Sequence, residues 1–265
     1  MSTPPSSLRS ILLPKEHGSW SLAFEPLLLG ALVVPSRPGL LLALAVMAGF
    51  FTRRPLKLTV TLPASDGRRA RALGWTILFS GIAMAGLGGA AYLGSGRALW
   101  PLLLCVPFGA TFLWFDLRQE MREAEAELSG SAAFALVPAA MATLAGWGAI
   151  AALGLAALML TRSLPTVLTV RTYLRHAKGL PAHPAAALLA ATGAFAVITG
   201  LGLMTVVPVA GGALAAGLLL RSIIFVSALR PGWSAKRVGQ LEAVMGLVYL
   251  GGLAVAYLGH PVAGS

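Results

Sequence analysis

Long apolar runs separated by short polar connections dominate the hydrophobicity pattern of the chain. A helix needs about 20 residues to cross the hydrocarbon core of a membrane. Nine runs predict transmembrane helices, at roughly 19–34, 39–52, 73–94, 98–116, 131–147, 149–170, 185–204, 207–226 and 241–259. Runs two, five and nine are short, so they must include flanking residues, or run two is re-entrant. Only Gly146-Trp147-Gly148 separates runs five and six, so eight helices are the alternative.

The basic residues between the runs predict the orientation of the chain. If the nine runs alternate in direction, 18 of the 20 Lys and Arg residues fall on one side, and only Arg37 and Arg97 fall on the other. Basic residues collect in the cytoplasmic connections of membrane proteins. The pattern therefore predicts a single all-α transmembrane domain over residues 1–265, with a cytoplasmic N-terminus and an external C-terminus.

Composition agrees with a polytopic membrane protein in contact with lipid. Hydrophobic residues make up 57% of the chain and charged residues 11%, whereas soluble domains carry about 25% charged residues. The net charge of +11 is explained by the cytoplasmic connections, so we expect no nucleic-acid partner. A single cysteine excludes a disulfide within the chain and a metal site built on several cysteines. The common nucleotide-binding, metalloprotease, serine-hydrolase and thiol-redox motifs are absent from the sequence.

The stretch LLPKEHGSWSLAFEPLLLG, at residues 12–30, places the carboxylate of Glu25 inside an apolar run. Glu25 is the one acidic residue that the predicted spans place in mid-membrane, where such residues are costly and face a cavity or a partner. His17, Ser21 and Glu25 are spaced to share one helix face, with His17 at the cytoplasmic boundary. Either this face leads into a site, or Glu25 is protonated or paired and only fixes helix packing. Pro26 predicts a kink next to Glu25.

Two connections carry groups that suit anion or cation binding. Arg53 and Arg54 are predicted to end helix 2 at Pro55, with Lys57 following; they either hold a phosphate-like anion or set the topology and contact anionic headgroups. In the 4–5 connection four acidic residues are spaced for one helix face, which suits either Mg²⁺ or a solvated amphipathic helix end. Those four residues are Asp116, Glu120, Glu123 and Glu127.

Arg162 and Arg221 also lie inside apolar runs. Arg162 precedes Pro165, which permits a kink or break, and Arg171 follows nine residues after Arg162; these two arginines either line a site or belong to a cytoplasmic segment. Arg221 and Glu242, near the 8–9 connection, are more typical of interface anchoring and of pairing between helices.

Two resemblances follow from these residues. The stretch PKEHGSWSLAFEPLLLG, followed by RRPLKL and later by TRSLPTVLTVRTYLRHAKG, resembles the YwiC-like family of bacterial membrane proteins over essentially the whole chain. This resemblance implies a multi-pass protein of the bacterial cytoplasmic membrane. The layout of nine helices with long, charged 2–3 and 6–7 connections resembles that of the UbiA prenyltransferases.

UbiA enzymes bind Mg²⁺ and a prenyl diphosphate through Asp-rich motifs in those two connections. Here the 2–3 connection has only Asp66 and the 6–7 connection has no acidic residue, so standard Mg²⁺-dependent prenyl transfer is not expected and no cofactor is assigned. An anion could instead contact cations directly.

Three hypotheses of function remain open. The first is a cytoplasm-facing intramembrane site for an anionic, lipid-linked substrate, with transferase chemistry. In it Glu25 and His17 act as acid/base or orienting groups, and the candidate substrate-binding residues are Lys15, Glu16, Trp20, Arg53, Arg54, Lys57, Asp116, Arg162 and Arg171. The second is a proton-coupled transporter of a small anion, with Glu25 as proton carrier. The third is a non-catalytic assembly factor for another membrane complex.

Overall fold

A computed structural model of the chain describes residues 19–118 and 123–260, and side chains from residue 21 onward within those ranges. The described residues form ten α-helices and one short 3₁₀ helix at Gly96–Leu99. The α-helices are α1 (Ser19–Val33), α2 (Arg37–Thr61), α3 (Gly67–Gly94), α4 (Pro101–Leu117), α5 (Ala124–Ala135), α6 (Val137–Leu144), α7 (Ala149–Ala177), α8 (Pro184–Leu203), α9 (Ala210–Val226) and α10 (Ala235–Leu258).

The helices confirm an all-α polytopic membrane fold. Within the described ranges, seven helical stretches are long and apolar enough to cross a membrane, with α5 and α6 counted as one stretch across Leu136. The helices α1 and α9 are shorter and also apolar. The order of these nine stretches follows the nine predicted runs, and Gly146, with φ +90°, turns the chain between α6 and α7. The side on which the N-terminus lies stays a prediction.

The prediction that Pro55 breaks helix 2 is wrong, because α2 runs on to Thr61. A proline removes one backbone donor, but polar side chains and neighbouring helices can compensate for the loss in a membrane helix. Pro55 supplies no N–H to the carbonyl of Phe51, one turn earlier, whereas the carbonyl of the buried Pro55 still accepts a hydrogen bond from the hydroxyl of Thr59 at 2.9 Å. Arg53, Arg54 and Lys57 are therefore helical residues and do not lie in a loop.

The start of α3 shortens the same connection from its other end. Asp66 is the N-cap of α3 and accepts a hydrogen bond from the backbone N–H of Arg68 at 2.8 Å. Hydrogen bonds from Arg68 lower the pKa of Asp66 to about 2, so the cap stays ionised at neutral pH. Only residues 62–66 connect α2 to α3. Similarly, α7 continues through Pro165, so helix 6 of the predicted order does not stop near Arg162.

The core of the described bundle lies around α7, which packs against α5, α6, α8 and α9. Its largest apolar cluster contains Leu155, Leu158 and Met159 from α7, with Leu250 and Leu253 from α10. The helices α3 and α4 bury few of their residues and lie at the edge of the bundle, as helices that face lipid do. This arrangement places the middle of α7, including Arg162, farthest from the edge.

Candidate functional site

Four helices bring two arginines and two glutamates together inside the bundle. Arg162 of α7 lies between Glu25 of α1 and Glu242 of α10: its Nη2 atom is 3.5 Å from Glu25 Oε1, and its Nη1 atom is 3.5 Å from Glu242 Oε2. Arg221 of α9 approaches the other Glu242 oxygen, with Nη1 3.2 Å from Oε1. We call these four residues the charge cluster.

Hydrogen bonds to neutral groups hold the two guanidinium groups in place. The Nη2 atom of Arg162 donates to the backbone carbonyl of Glu242 at 3.0 Å, and its Nη1 atom donates to Thr166 Oγ1 at 2.5 Å. The same hydroxyl accepts from Arg221 Nη2 at 2.9 Å and donates to the Arg162 carbonyl at 2.6 Å. Thr166, one turn after Arg162, thus links both arginines.

The charge cluster lies deep in the membrane-spanning part of the fold. Arg162 is 2% exposed, and it follows the start of α7 at Ala149 by 13 residues, a rise of about 20 Å along the helix. A hydrocarbon core is about 30 Å thick. Isolated charges at such a depth are costly, and buried charges are found paired. With both carboxylates ionised, the charge cluster is neutral.

Gly246 provides the space in which Glu25 meets Arg162. It lies on α10, one turn after Glu242, and a Cβ atom built on it would overlap the Glu25 carboxylate and lie 3.2 Å from Arg162 Nη2. A side chain at this position would therefore displace the Glu25 carboxylate from its place beside the guanidinium group.

Two small cavities adjoin Arg162. The larger, with a volume of ≈ 30 Å³, is lined by Ser21, Leu22, Glu25, Pro26, Met159, Arg162, Ser163, Thr166 and Glu242. The smaller, of ≈ 10 Å³, lies toward α8 and α9 and includes Arg162 and Arg221 in its lining. A single water needs about 10–15 Å³ of cavity volume, so the larger cavity has room for about two waters or one small ion.

Two buried donors beside the larger cavity make no hydrogen bond within the described part of the chain. They are the Ser163 hydroxyl, on a residue that is 8% exposed, and the Nε atom of Arg162. Buried polar groups are nearly always hydrogen-bonded, so each such donor calls for an explanation.

The predicted anion-binding residues of α2 lie in a separate cluster, where they bind a carboxylate of the same chain. Arg53 Nε is 3.0 Å from Asp116 Oδ2, and Lys57 Nζ is 2.9 Å from Asp116 Oδ1. The Arg53 guanidinium also lies over the Phe112 ring, 4.7 Å from its centroid. Arg54 is partly buried in α2, next to Arg53. These charges tie the end of α2 to the end of α4.

The three described acidic residues of the 4–5 connection do not lie on one helix, and the fourth, Glu120, lies outside the described residues. Asp116 lies at the end of α4, whereas Glu127 lies in α5 and Glu123 just precedes it. Arg171 of α7 pairs with these two, with Nη1 3.4 Å from Glu127 Oε2 and Nη2 3.9 Å from Glu123 Oε2. The prediction of a single face is therefore wrong for the described residues, because α4 ends at Leu117 and α5 begins at Ala124. Among the described residues, no three His, Cys, Asp or Glu side chains form a group suited to a metal ion.

The structure thus distributes the predicted site residues over three clusters. Glu25 meets Arg162, while Arg53 and Lys57 meet Asp116, and Arg171 meets its own acidic partners. Four more of the candidates lie outside the described residues, namely Lys15, Glu16, His17 and the side chain of Trp20.

Sequence reasoning missed two members of the charge cluster as site residues, Arg221 and Glu242. The expectation that Glu242 pairs across helices holds, since it contacts arginines from α7 and α9. Glu25 is nevertheless not the one acid at this depth, because Glu242 reaches the same guanidinium group. The sequence feature that could have identified Arg221 as a site residue is its position inside an apolar run, which it shares with Arg162.

Comparison with known proteins gives one family resemblance, over the first half of the chain. A search of curated proteins and a search of solved structures each returned no match. The UbiA-like layout therefore stays a prediction. The family model described as YwiC-like protein matches residues 13–142, a stretch that includes α1 through most of α6 and so contains Glu25, Arg53 and Asp116. The resemblance predicted from the opening PKEHG stretch is thereby confirmed over residues 13–142, just under half of the chain, where the sequence is similar to the YwiC-like family.

Proposed function

We propose that this integral membrane protein is a proton-coupled carrier of an anion, which binds to Arg162 in place of Glu25. The observation that supports it most directly is the Glu25–Arg162 pair at 3.5 Å, on the wall of the ≈ 30 Å³ cavity. A buried cation needs a counter-charge, and removing one partner of such a pair is strongly unfavourable. Arg162 therefore favours either ionised Glu25 or a bound anion.

The two glutamates differ in ways that make Glu25 the exchangeable one. The Glu242 carboxylate lies 3.5 Å from Arg162 and 3.2 Å from Arg221, so it serves two cations, whereas the Glu25 carboxylate contacts Arg162 alone, also at 3.5 Å. The Glu25 side chain is also slightly more exposed, at 15% against 11%. The charged groups that act on the Glu25 carboxylate are Arg162 from α7 and Glu242 from α10, with Arg221 of α9 behind Glu242.

A carrier cycle follows from this difference. Protonation of Glu25 removes its charge, and Arg162 then attracts an anion into the cavity. Release of the anion on the other side of the membrane leaves Arg162 without its counter-ion until Glu25 ionises again. A proton and an anion consequently move in the same direction, and Glu242 keeps Arg162 and Arg221 in place throughout.

The alternative hypotheses have less support from the geometry. A transferase for a lipid-linked substrate needs the basic residues to converge on one large site, but they lie in three ion-paired clusters and the cavity at Arg162 is small. An assembly factor does not require an acid beside a cavity, and a fully packed ion pair would serve it equally well.

Flux measurements in proteoliposomes test the proposal. With an imposed pH gradient, we expect uptake of at least one member of a panel of chloride, nitrate, formate, acetate, phosphate and sulfate. Glu25→Gln mimics the protonated acid, so anion exchange should persist while proton coupling is lost. Arg162→Ala should reduce all flux by a factor of about ten or more, since the buried cation is removed.

The control is Asp66→Asn, which changes a carboxylate in the α2–α3 connection and retains a side chain suited to capping. It should leave both flux and coupling unchanged. Absence of flux for every anion, or a Glu25→Gln variant that still couples protons to anions, would contradict the proposal.

A further inference from the structure

We infer that the cavity beside Arg162 binds a monovalent anion of halide size, with the Ser163 hydroxyl as one of its donors. The inference rests on the proposed exchange of Glu25 for an anion and assigns the substrate class of that site. Chloride is the probe, since it has the required charge and size. Three independent properties of the cavity carry the inference, namely its unused donors, its charge and its volume.

The donors that line the cavity suit an anion. Ser163 is 8% exposed, lies next to Arg162 on α7, and has a hydroxyl without a hydrogen-bond partner in the described part of the chain. The hydroxyl of Thr166 is already used, because it accepts from both arginines and donates to a carbonyl. The Ser163 hydroxyl and the Arg162 guanidinium group can therefore both donate hydrogen bonds to one anion in the cavity.

The charge of the cluster selects a monovalent ion. When Glu25 is protonated, the remaining charges are those of Arg162, Arg221 and Glu242, which together leave one positive charge. One monovalent anion restores neutrality, whereas a dianion would leave a net negative charge in a low-dielectric region. Since uncompensated charge is costly there, a phosphate or sulfate dianion is disfavoured.

The volume sets the size of the ion. At ≈ 30 Å³ the cavity has space for about two waters. A single halide ion occupies a space of that order, whereas a diphosphate or a carboxylate with a long chain does not. Pro26, Met159 and Leu22 line the same cavity, so part of its wall is apolar and not adapted to a large polar substrate.

Proton uptake on ion binding tests the inference without a requirement for transport. Purified protein in detergent and weak buffer is titrated with sodium chloride against sodium gluconate, and pH is followed with a dye. We expect saturable uptake of protons, displacement of chloride by bromide, and no displacement by sulfate. Glu25→Gln should abolish the proton uptake, because the titrating carboxyl is absent.

Variants at Ser163 test its role as donor. Ser163→Ala should weaken chloride affinity by about tenfold or more, the factor expected for one hydrogen bond to a charged group, and Ser163→Thr should restore affinity. The control is Ser222→Ala, which also removes a buried hydroxyl, but one that donates to the Leu218 carbonyl and does not line the cavity. Its chloride affinity should match that of the parent chain.

The outcomes separate this inference from the proposed function. Flux of phosphate or acetate without binding of chloride would overturn the halide site and leave the carrier. Binding of chloride with proton uptake, but without flux, would overturn the carrier and leave the site. Equal chloride affinity of the parent chain and of folded Ser163→Ala protein, or equal displacement by sulfate and bromide, would overturn the assignment.

Discussion

At the scale of single residues, the protein depends on how one buried guanidinium group is satisfied. Arg162 contacts two carboxylates, one carbonyl and one hydroxyl, and these come from three helices. Each partner offsets part of the cost of a charge in a low-dielectric region. The partners are not equivalent, since Glu242 also neutralises Arg221.

Neutralising Glu242 should therefore destabilise the protein more than neutralising Glu25. Glu242→Gln leaves two buried arginines with one carboxylate, and we expect a loss of about 3–5 kcal/mol in the free energy of unfolding. Glu25→Gln should cost clearly less, because Glu25 pairs with one arginine and Glu242 with two. Denaturant unfolding in detergent measures both losses, and an equal or reversed order would show that the two acids have the same role.

Gly246 gives a second prediction at this scale. Gly246→Ala places a Cβ atom where the Glu25 carboxylate lies, so Glu25 must move away from Arg162. We expect a loss of about 1–3 kcal/mol in unfolding free energy, typical of overpacking.

The matched control is Gly251→Ala on the same helix, where a Cβ atom meets nothing within 4 Å. It should be neutral or stabilising by up to about 1 kcal/mol, because alanine favours helix. Similar effects of both substitutions would mean that Gly246 is not needed to admit Glu25.

At the scale of helices, the helices extend beyond the apolar runs and include charged residues that the sequence pattern assigned to connections. The second helix continues through Pro55 to Thr61, and its last turns carry Arg53 and Lys57 to Asp116 of α4. Because α4 exposes most of its residues, this tie and its packing on α5 hold its end to the bundle. The basic residues of α2 thus have a structural partner.

A double-mutant cycle measures that tie. With Arg53→Met and Asp116→Ala, we expect a coupling energy of about 1–3 kcal/mol in unfolding free energy, because both groups are largely buried and hydrogen-bonded. The control pair is Asp66 and Arg68, whose arginine is half exposed, and its coupling should be much weaker because solvent screens it. Coupling at Arg53 and Asp116 as weak as in the control would show that the ion pair does not hold α4.

At the scale of the whole molecule, the connections between helices differ in charge from one side to the other. The connection at residues 62–66 follows the basic end of α2 and precedes the basic start of α3. The connection that contains the 3₁₀ helix, by contrast, carries only Arg97. The excess of basic residues predicts that residues 62–66 face the cytoplasm and Gly96–Leu99 the exterior.

Cysteine labelling in intact cells tests this orientation. In a Cys105→Ala background, Gly96→Cys should react with a membrane-impermeant maleimide, and Ser65→Cys should react only after the cells are permeabilised. Both positions are exposed, and a Cβ atom at Gly96 meets nothing within 4 Å, so neither substitution is expected to disturb the fold. The reverse labelling pattern would contradict a cytoplasmic N-terminus.

The parts of the structure that depend on local composition could be predicted from the sequence, and those that depend on distant partners could not. The apolar runs predicted the order of the helices and the membrane fold, because burial of apolar side chains in lipid depends on local composition. Helix ends were predicted poorly at Pro55 and at Gly67, where charged residues stay helical beyond the apolar run. Capping by Asp66 decides where α3 begins. The end of α2 is decided by the pairing of Arg53 and Lys57 with Asp116, a partner that is distant in sequence.

By itself, then, the sequence determined an all-α membrane protein that resembles the YwiC-like family over residues 13–142, with Glu25 and Arg162 as charges that need partners. Only the tertiary structure decided which partners they have. It placed Glu25 and Glu242 on Arg162, added Arg221, and separated Arg53 and Lys57 from this cluster by pairing them with Asp116. The physical reason is that hydrophobic burial is a property of each segment, whereas an ion pair joins residues that only the packing of helices brings within contact distance.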